Sequence, residues 1–190
     1  MPPIKKFEKE DIINVAYEIV RQEGFSGLNA RKIAKKLNCS VQPIFHNFET
    51  MEELDRVVFD RIYSKYQDVM KQATDEEQSY LAKGIAYVKF AREYPEFYKI
   101  IFMQERDMTL EEFTQADKDV GENVMKSIIK KFDVSAKDLK EFHTKIWIFT
   151  HGLACLVATK TIQFTDEEIK QLLINTVRDI FKGYSKGRKE

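Results

Sequence analysis

Two cysteines, Cys39 and Cys155, are too few for a disulfide framework, and each sits in an apolar helical pattern that suits a buried, reduced thiol. Only four prolines and seven glycines interrupt the 190 residues, and apolar/polar alternation of strand type is nearly absent. That excludes a sheet-rich fold and points to helices throughout. No apolar run approaches the roughly 20 residues needed to cross a bilayer, and the opening MPPIKKFEKED lacks the apolar stretch of a signal peptide. The expectation is a cytoplasmic protein with no membrane partner. Net charge is missing too: 31 basic and 31 acidic residues cancel, so nucleic-acid binding would have to come from a local patch. What is present is an apolar fraction of 43%, enough for a real core in a chain of this length.

Helix starts are marked by a Thr with Glu three residues on, a pairing that satisfies free backbone amides at a helix N-terminus: Thr50/Glu53, Thr74/Glu77, Thr109/Glu112 and Thr165/Glu168. Before the first box lie three shorter helices, near Glu8–Glu23 ending at Gly24, near Ala30–Leu37 ending at Asn38, and near Val41–Asn47. After it the pattern predicts helices near Met51–Gln72, Asp75–Glu93, Pro95–Met103, Leu110–Phe132, Ala136–Thr161 and Asp166–Ser185, about nine in all. The predicted architecture is all-α, with a three-helix head over 1–49 and a helical-bundle body over 50–190. With no low-complexity linker between them, the helix from Thr50 is expected to pack directly on the head.

In the first helix Ile12, Val15, Ala16, Ile19 and Val20 recur at helical spacing, a stripe that can cover two short helices crossing it. The second turns Ile33, Ala34 and Leu37 inward, with Asn29 as its N-cap and Asn38 where a left-handed residue must end it. Ser40 is then expected to cap a third helix whose inward residues are Ile44 and Phe48. Two short helices joined by a tight turn match a helix-turn-helix, whose second helix is offered to the major groove. No acidic residue occurs from Ser26 to Phe48, while Arg31, Lys32, Lys35 and Lys36 lie on the second helix. The charges alone are better read as a solvated lysine-rich face; the turn and caps reverse that in favour of DNA.

The string Gly24-Phe25, Leu28 to Ala34, Leu37 to Ser40, Ile44 to Phe48 and Glu53-Leu54 resembles the N-terminal domain of TetR/AcrR-type repressors. Tyr94 to Tyr98 with Phe102, and Trp147 with His151-Gly152-Leu153, are similar to segments in the ligand-binding bodies of one branch of that family. The resemblance implies a homodimeric transcriptional regulator bound to a double-stranded DNA operator. The chain departs from the family pattern at Phe45, Asn47 and Met51, where Tyr, His or Tyr, and Lys usually hold phosphates. Either the electrostatic contribution is weaker here, or Lys5, Lys6, Lys32 and Asn47 compensate. Val41, Gln42 and His46 are the candidate base readers, because Gln bonds adenine bidentately and Val meets a thymine methyl. Pro43, in the first turn, offers either an apolar surface to the same methyl or a purely structural start. With Asn29, Arg31 and Ser40, these residues make up the candidate DNA surface.

The last helix carries Ile169, Leu172, Leu173, Thr176, Val177, Ile180, Phe181 and Tyr184 on one stripe, and the helix before it is apolar nearly all round. Packing within one chain accounts for such stripes; the resemblance adds a homodimer, with Leu153, Val157, Leu173, Val177, Ile180 and Phe181 at its seam. The middle helices are rich in aromatics that suit either plain core or a pocket for a small apolar ligand, and Tyr63, Tyr87, Phe102, Trp147 and His151 are the candidate lining. His151 and Cys155 share a helix face with His143 two turns earlier, a spacing read as core in preference to metal. No Ser/His/Asp grouping, phosphate-cradling glycine loop or zinc-protease signature occurs, so no catalytic residue, metal or cofactor is assigned and an enzyme is not expected. The expected function is a DNA-binding regulator, a repressor released by a small apolar effector. The alternative is a helical interaction or small-molecule carrier protein without sequence-specific DNA binding.

Overall fold

The computed structural model describes residues 7–73, 79–105 and 136–186, and among them the chain is helical without strands. Eight α-helices are seen: α1 Lys9–Glu23, α2 Ala30–Leu37, α3 Gln42–Asn47, α4 Met51–Gln72, α5 Ser79–Glu93, α6 Pro95–Phe102, α7 Ala136–Ala158 and α8 Asp166–Lys186. The helix expected over 110–132, the boxes at Thr74 and Thr109, and Lys5 and Lys6 lie outside the described residues. Helices α1, α3 and α8 each shift by one residue at one end, to Lys9, Gln42 and Lys186. Helix α7 stops at Ala158, three residues short of the expected Thr161, because Lys160 turns left-handed at φ 57° while the Thr161 amide donates back to the Leu156 carbonyl at 3.0 Å. Helix α6 stops one residue early, at Phe102.

The chain forms two compact units, one of Met1–Asp68 with Tyr94–Gln104, the other of Val69–Glu93 with Glu105–Glu190. The first has a core of Ile12, Ala16, Ile19, Val20, Ile33, Ile44, Phe48, Leu54, Val58 and Phe97, all almost fully buried. Residues from α1, α2, α3, α4 and α6 thus share one apolar interior. Charged pairs between α1 and α4 flank it: Lys9 Nζ meets Glu53 Oε1 at 3.1 Å and stands 4.5 Å from the Phe48 ring centre, and Arg61 meets Glu10 at 2.6 Å.

In the second unit α7 packs on α5 and α8. Leu139, Phe142 and Ile146 form a buried cluster against which Val177, Ile180 and Phe181 pack. Gly84 of α5 faces Leu173 of α8, where a Cβ would stand in ordinary contact at 3.5 Å. The start of α8 is fixed by its box, with the Glu168 amide donating to Thr165 Oγ1 at 3.2 Å and the Thr165 amide to Glu168 Oε2 at 2.7 Å. Asp166 receives both Lys89 and Arg92 of α5, at 2.6 and 2.5 Å; these hydrogen bonds hold its carboxyl below the usual range.

Helix α2 shows how local chemistry sets the head. Asn29 Oδ1 accepts the Lys32 amide at 2.9 Å, and Asn38 takes φ 54°, ψ 50°, so both expected caps are in place. Asn29→Ala is expected to lower stability by about 1 kcal/mol. The change would be read as a lower urea midpoint at unchanged slope, and an unmoved midpoint would remove the cap from the account.

Candidate nucleic-acid interface

Helix α3 is short and two-faced. Ile44 and Phe48, four residues apart, point into the core, while Val41 at 37% exposure, Phe45 at 48%, and Gln42 and His46 face solvent. The turn into α3 is made by left-handed Asn38, whose successor Cys39 donates its amide to the Ala34 carbonyl at 3.0 Å. The expected cap at Ser40 is not made. Val41 is the N-cap, in helical conformation with no side-chain bond; its carbonyl accepts the Ile44 amide at 3.1 Å and the Phe45 amide at 3.4 Å. The reason is Pro43 within the first turn, which lacks one of the amides a capping hydroxyl would serve. Ser40 is left exposed.

The cations of the head fall into two classes. Lys32 is ion-paired with Glu23 at the end of α1, a contact nine residues apart with no sequence signature. Lys9 and Arg61 are likewise held by Glu53 and Glu10. Arg31, Lys35 and Lys36 are exposed and make no ion pair or hydrogen bond among the described residues, and Arg31 and Lys35 share a helix face. Asn47 also departs from expectation: both amide hydrogens are engaged, toward the Pro43 carbonyl at 2.8 Å and the Phe7 carbonyl at 3.4 Å. In the free head these two bonds tie the segment before α1 to α3. Met51 is half-buried in the first turn of α4, behind a cap in which Glu53 donates its amide to Thr50 Oγ1 at 3.2 Å.

The five residues expected to line a ligand pocket fall into two groups. In the first unit Tyr63 is exposed and lies 6.1 Å from Tyr66, which in turn meets Phe102 edge-on at 5.1 Å. In the second, His151 is the centre: Tyr87 Oη lies 3.0 Å from its Nδ1, Cys155 Sγ 3.5 Å from its Nε2, and the Trp147 ring stacks on it at 4.7 Å. Both cysteines are free and half-buried, more open than expected.

Burial pushes the His151 imidazole below its ordinary 6.5, and that of His143 likewise. A depressed folded value means the unfolded chain takes up the proton first, so this contribution to stability is present above pH 6.5 and lost as pH falls through it. The melting temperature of the protein is therefore expected to fall between pH 7.5 and 5.5, and that of His151→Gln to fall less. Equal slopes in the two proteins would refute the assignment.

The residues expected at a dimer seam are buried or partly buried within one chain. Leu153, Val157 and Leu173 are buried, and Val177, Ile180 and Phe181 pack on the Leu139 cluster, because α8 lays its stripe along α7 and α5 of its own unit. The apolar side chains that α7 leaves in solvent are Ile148 and Leu156.

Residues 81–180 match a family model described as the tetracyclin repressor-like C-terminal domain. An HTH-type transcriptional regulator of Bacillus subtilis (strain 168), YobS, is 24% identical over 186 residues, which are 96% of this chain and 95% of that one. Among solved structures, a TetR-like transcriptional regulator from Rhodococcus sp. RHA1 superposes with a TM-score of 0.63 at 14% identity, covering 96% of this chain and 99% of its own. The fatty acid degradation regulator FadR from Bacillus halodurans gives 0.53 at 16% identity, over 93% and 96%. At such identities the structural likeness concerns the fold. No helix among the described residues is long and apolar enough to cross a membrane.

Proposed function

The chain belongs to the tetracycline-repressor-like family of DNA-binding transcriptional regulators, and from that premise we propose that it is a cytoplasmic homodimeric repressor released from its operator by a small apolar effector. Residues 1–49 bind DNA and residues 50–190 hold the effector and the partner subunit. The observation that carries the reading is the two-sidedness of α3: Ile44 and Phe48 anchor it while Val41, Gln42, Phe45 and His46 stand in solvent together.

Gln42 then offers a bidentate amide to adenine, and Val41 and Pro43 offer apolar surface to thymine methyls. Arg31, Lys35 and Lys36 supply the phosphate contacts, with Ser40, Phe45 and Met51 at the margin and Asn29 ordering the α2 amides. Lys32 and Asn47, already partnered, contribute less. The effector reading is supported by the group of half-buried Trp147 and His151 with buried Tyr87, an apolar wall with polar tips. Effector binding shifts the two heads away from the roughly 34–36 Å spacing of successive major grooves. Selection from random duplex DNA tests the proposal. An enriched palindrome whose binding weakens with salt supports it; enrichment of nothing favours a helical carrier or interaction protein.

A further inference from the structure

Cys155 and His151 of α7 and Tyr87 of α5 form a chain of polar contacts inside the second unit. Cys155 Sγ lies 3.5 Å from His151 Nε2, and His151 Nδ1 lies 3.0 Å from Tyr87 Oη on the other side of the ring. A nucleophilic atom within reach of a base, with the base oriented by a third group, is the arrangement that activates a thiol. When His151 carries its hydrogen on Nδ1 and donates it to Tyr87 Oη, Nε2 is an acceptor facing the sulfur. Tyr87 is buried, so its hydroxyl is a fixed partner. Trp147 stacks on the imidazole at 4.7 Å and 17°, close enough for its π face to favour the ring once it is protonated. Burial holds the imidazole below its ordinary value, so near pH 7 it is neutral and able to take a proton.

The sulfur is also within reach of a small molecule. Cys155 is a half-buried thiol in no disulfide. A helical side chain leans toward the helix N-terminus, so that of Cys155 lies over the turn that holds His151 and Gly152. His151 occupies one side of the sulfur, and Gly152 puts no side chain on the other. Gly152 is exposed, and a Cβ there would meet nothing within 4 Å among the described residues. An interior glycine weakens a helix relative to alanine, and packing among the described residues does not ask for one here. What the missing side chain leaves is bare surface beside Cys155 Sγ.

We infer that Cys155 is a covalent capture site for small α,β-unsaturated carbonyl compounds, with His151 carrying the proton. The sulfur attacks the β-carbon as its hydrogen passes to His151 Nε2, the S–C bond forms, and the C=C π pair moves to the α-carbon as an enolate. The imidazolium then returns the same proton to the α-carbon. Nothing leaves and nothing is oxidised, so the step needs only the thiol and the unsaturated carbonyl. An addition suits this pair because the proton taken from sulfur is the one the product requires; a displacement would strand it on the imidazole. The rings of Trp147 and Tyr87 give a flat, mostly apolar molecule suitable neighbours. This deepens the effector reading by naming a chemical class for the effector, and rests on that reading for its consequence at the operator.

Treating the full chain with methyl vinyl ketone, and with butanone as the saturated control, tests it by intact-mass and peptide-mapping mass spectrometry. A single adduct is expected on Cys155, formed at least about tenfold faster than on Cys39, the other half-buried thiol of the chain, and butanone should give none. His151→Gln should slow the Cys155 adduct about a hundredfold near pH 7, the low end of what a positioned base contributes, and leave the Cys39 rate unchanged. Gly152→Leu should slow it as well, by covering the sulfur, with helicity retained by circular dichroism. Capture at Cys155 no faster than at Cys39, or as fast in folded His151→Gln as in the wild type, would overturn the site. Loss of operator binding on adduct formation, absent in Cys155→Ser, would support the site and the effector reading together. A Cys155 adduct that formed as expected but left operator affinity unmoved would uphold the site and overturn the effector reading.

Discussion

Replacing Arg31, Lys35 and Lys36 together with glutamine is expected to weaken operator binding about a hundredfold per head at physiological salt and to lower the slope of log K against log salt by roughly three per head. The estimate follows from counterion release: each phosphate contact contributes about 0.9 to the slope, so three lost contacts remove most of three. The three are chosen because they are the cations of α2 that face solvent without a carboxylate partner. Lys32 is the control. Its charge is matched by Glu23 in the folded head, so Lys32→Gln should change the slope by much less than one. Lys9→Gln should leave the slope alone and lower thermal stability, since Lys9 lies between Glu53 and the Phe48 ring. Equal slope changes for the triple variant and for Lys32→Gln would show that pairing does not decide which cations serve DNA. Mobility shifts between 50 and 200 mM salt separate the cases.

What the sequence made legible here is whatever closes within about four residues. Asn29 and Asn38 are read correctly because a cap and a left-handed stop are decided by neighbours along the chain. The box at Thr165 is read for the same reason, as is the Thr50 cap, although there the Glu53 carboxylate accepts the Glu49 amide. Ser40 fails although it is just as local, because Pro43 removes an amide from the turn it was to cap. The longer-range assignments fare differently. The Lys32–Glu23 pair and the Asn47–Phe7 bond join segments whose meeting depends on how α1, α2 and α3 cross, and neither leaves a trace in spacing. The apolar stripes of α7 and α8 announce burial but not the identity of the covering surface. One chain's own helices bury Leu153, Val157 and Leu173.

The assignment of α6 is where chain order misleads most, and Phe97→Ala tests it. By position α6 follows the bundle helix α5, and sequence places it in the body. In the structure Tyr94–Gln104 belongs with the head, so the chain passes between units at Asp68, at Glu93 and at Gln104. Phe97 is fully buried there, 4.9 Å from the Tyr17 ring of α1 and parallel to Tyr94 at 5.6 Å. Removing such a ring costs about 3–5 kcal/mol, a large share of the roughly 5–15 kcal/mol that holds a typical domain folded. Operator binding is therefore expected to disappear in Phe97→Ala near 37 °C, although Phe97 is about fifty residues from α3. Phe97→Leu, which keeps most of the volume, should retain it with a lowered melting temperature. Phe142→Ala makes the counterpart cavity in the second unit, where Phe142 meets Phe181 edge-on at 5.9 Å. Hydrogen exchange should then show lost protection in α1 and α3 for Phe97→Ala, and in α7 and α8 for Phe142→Ala. If Phe97→Ala instead spared the α1 amides, α6 would be a body helix after all.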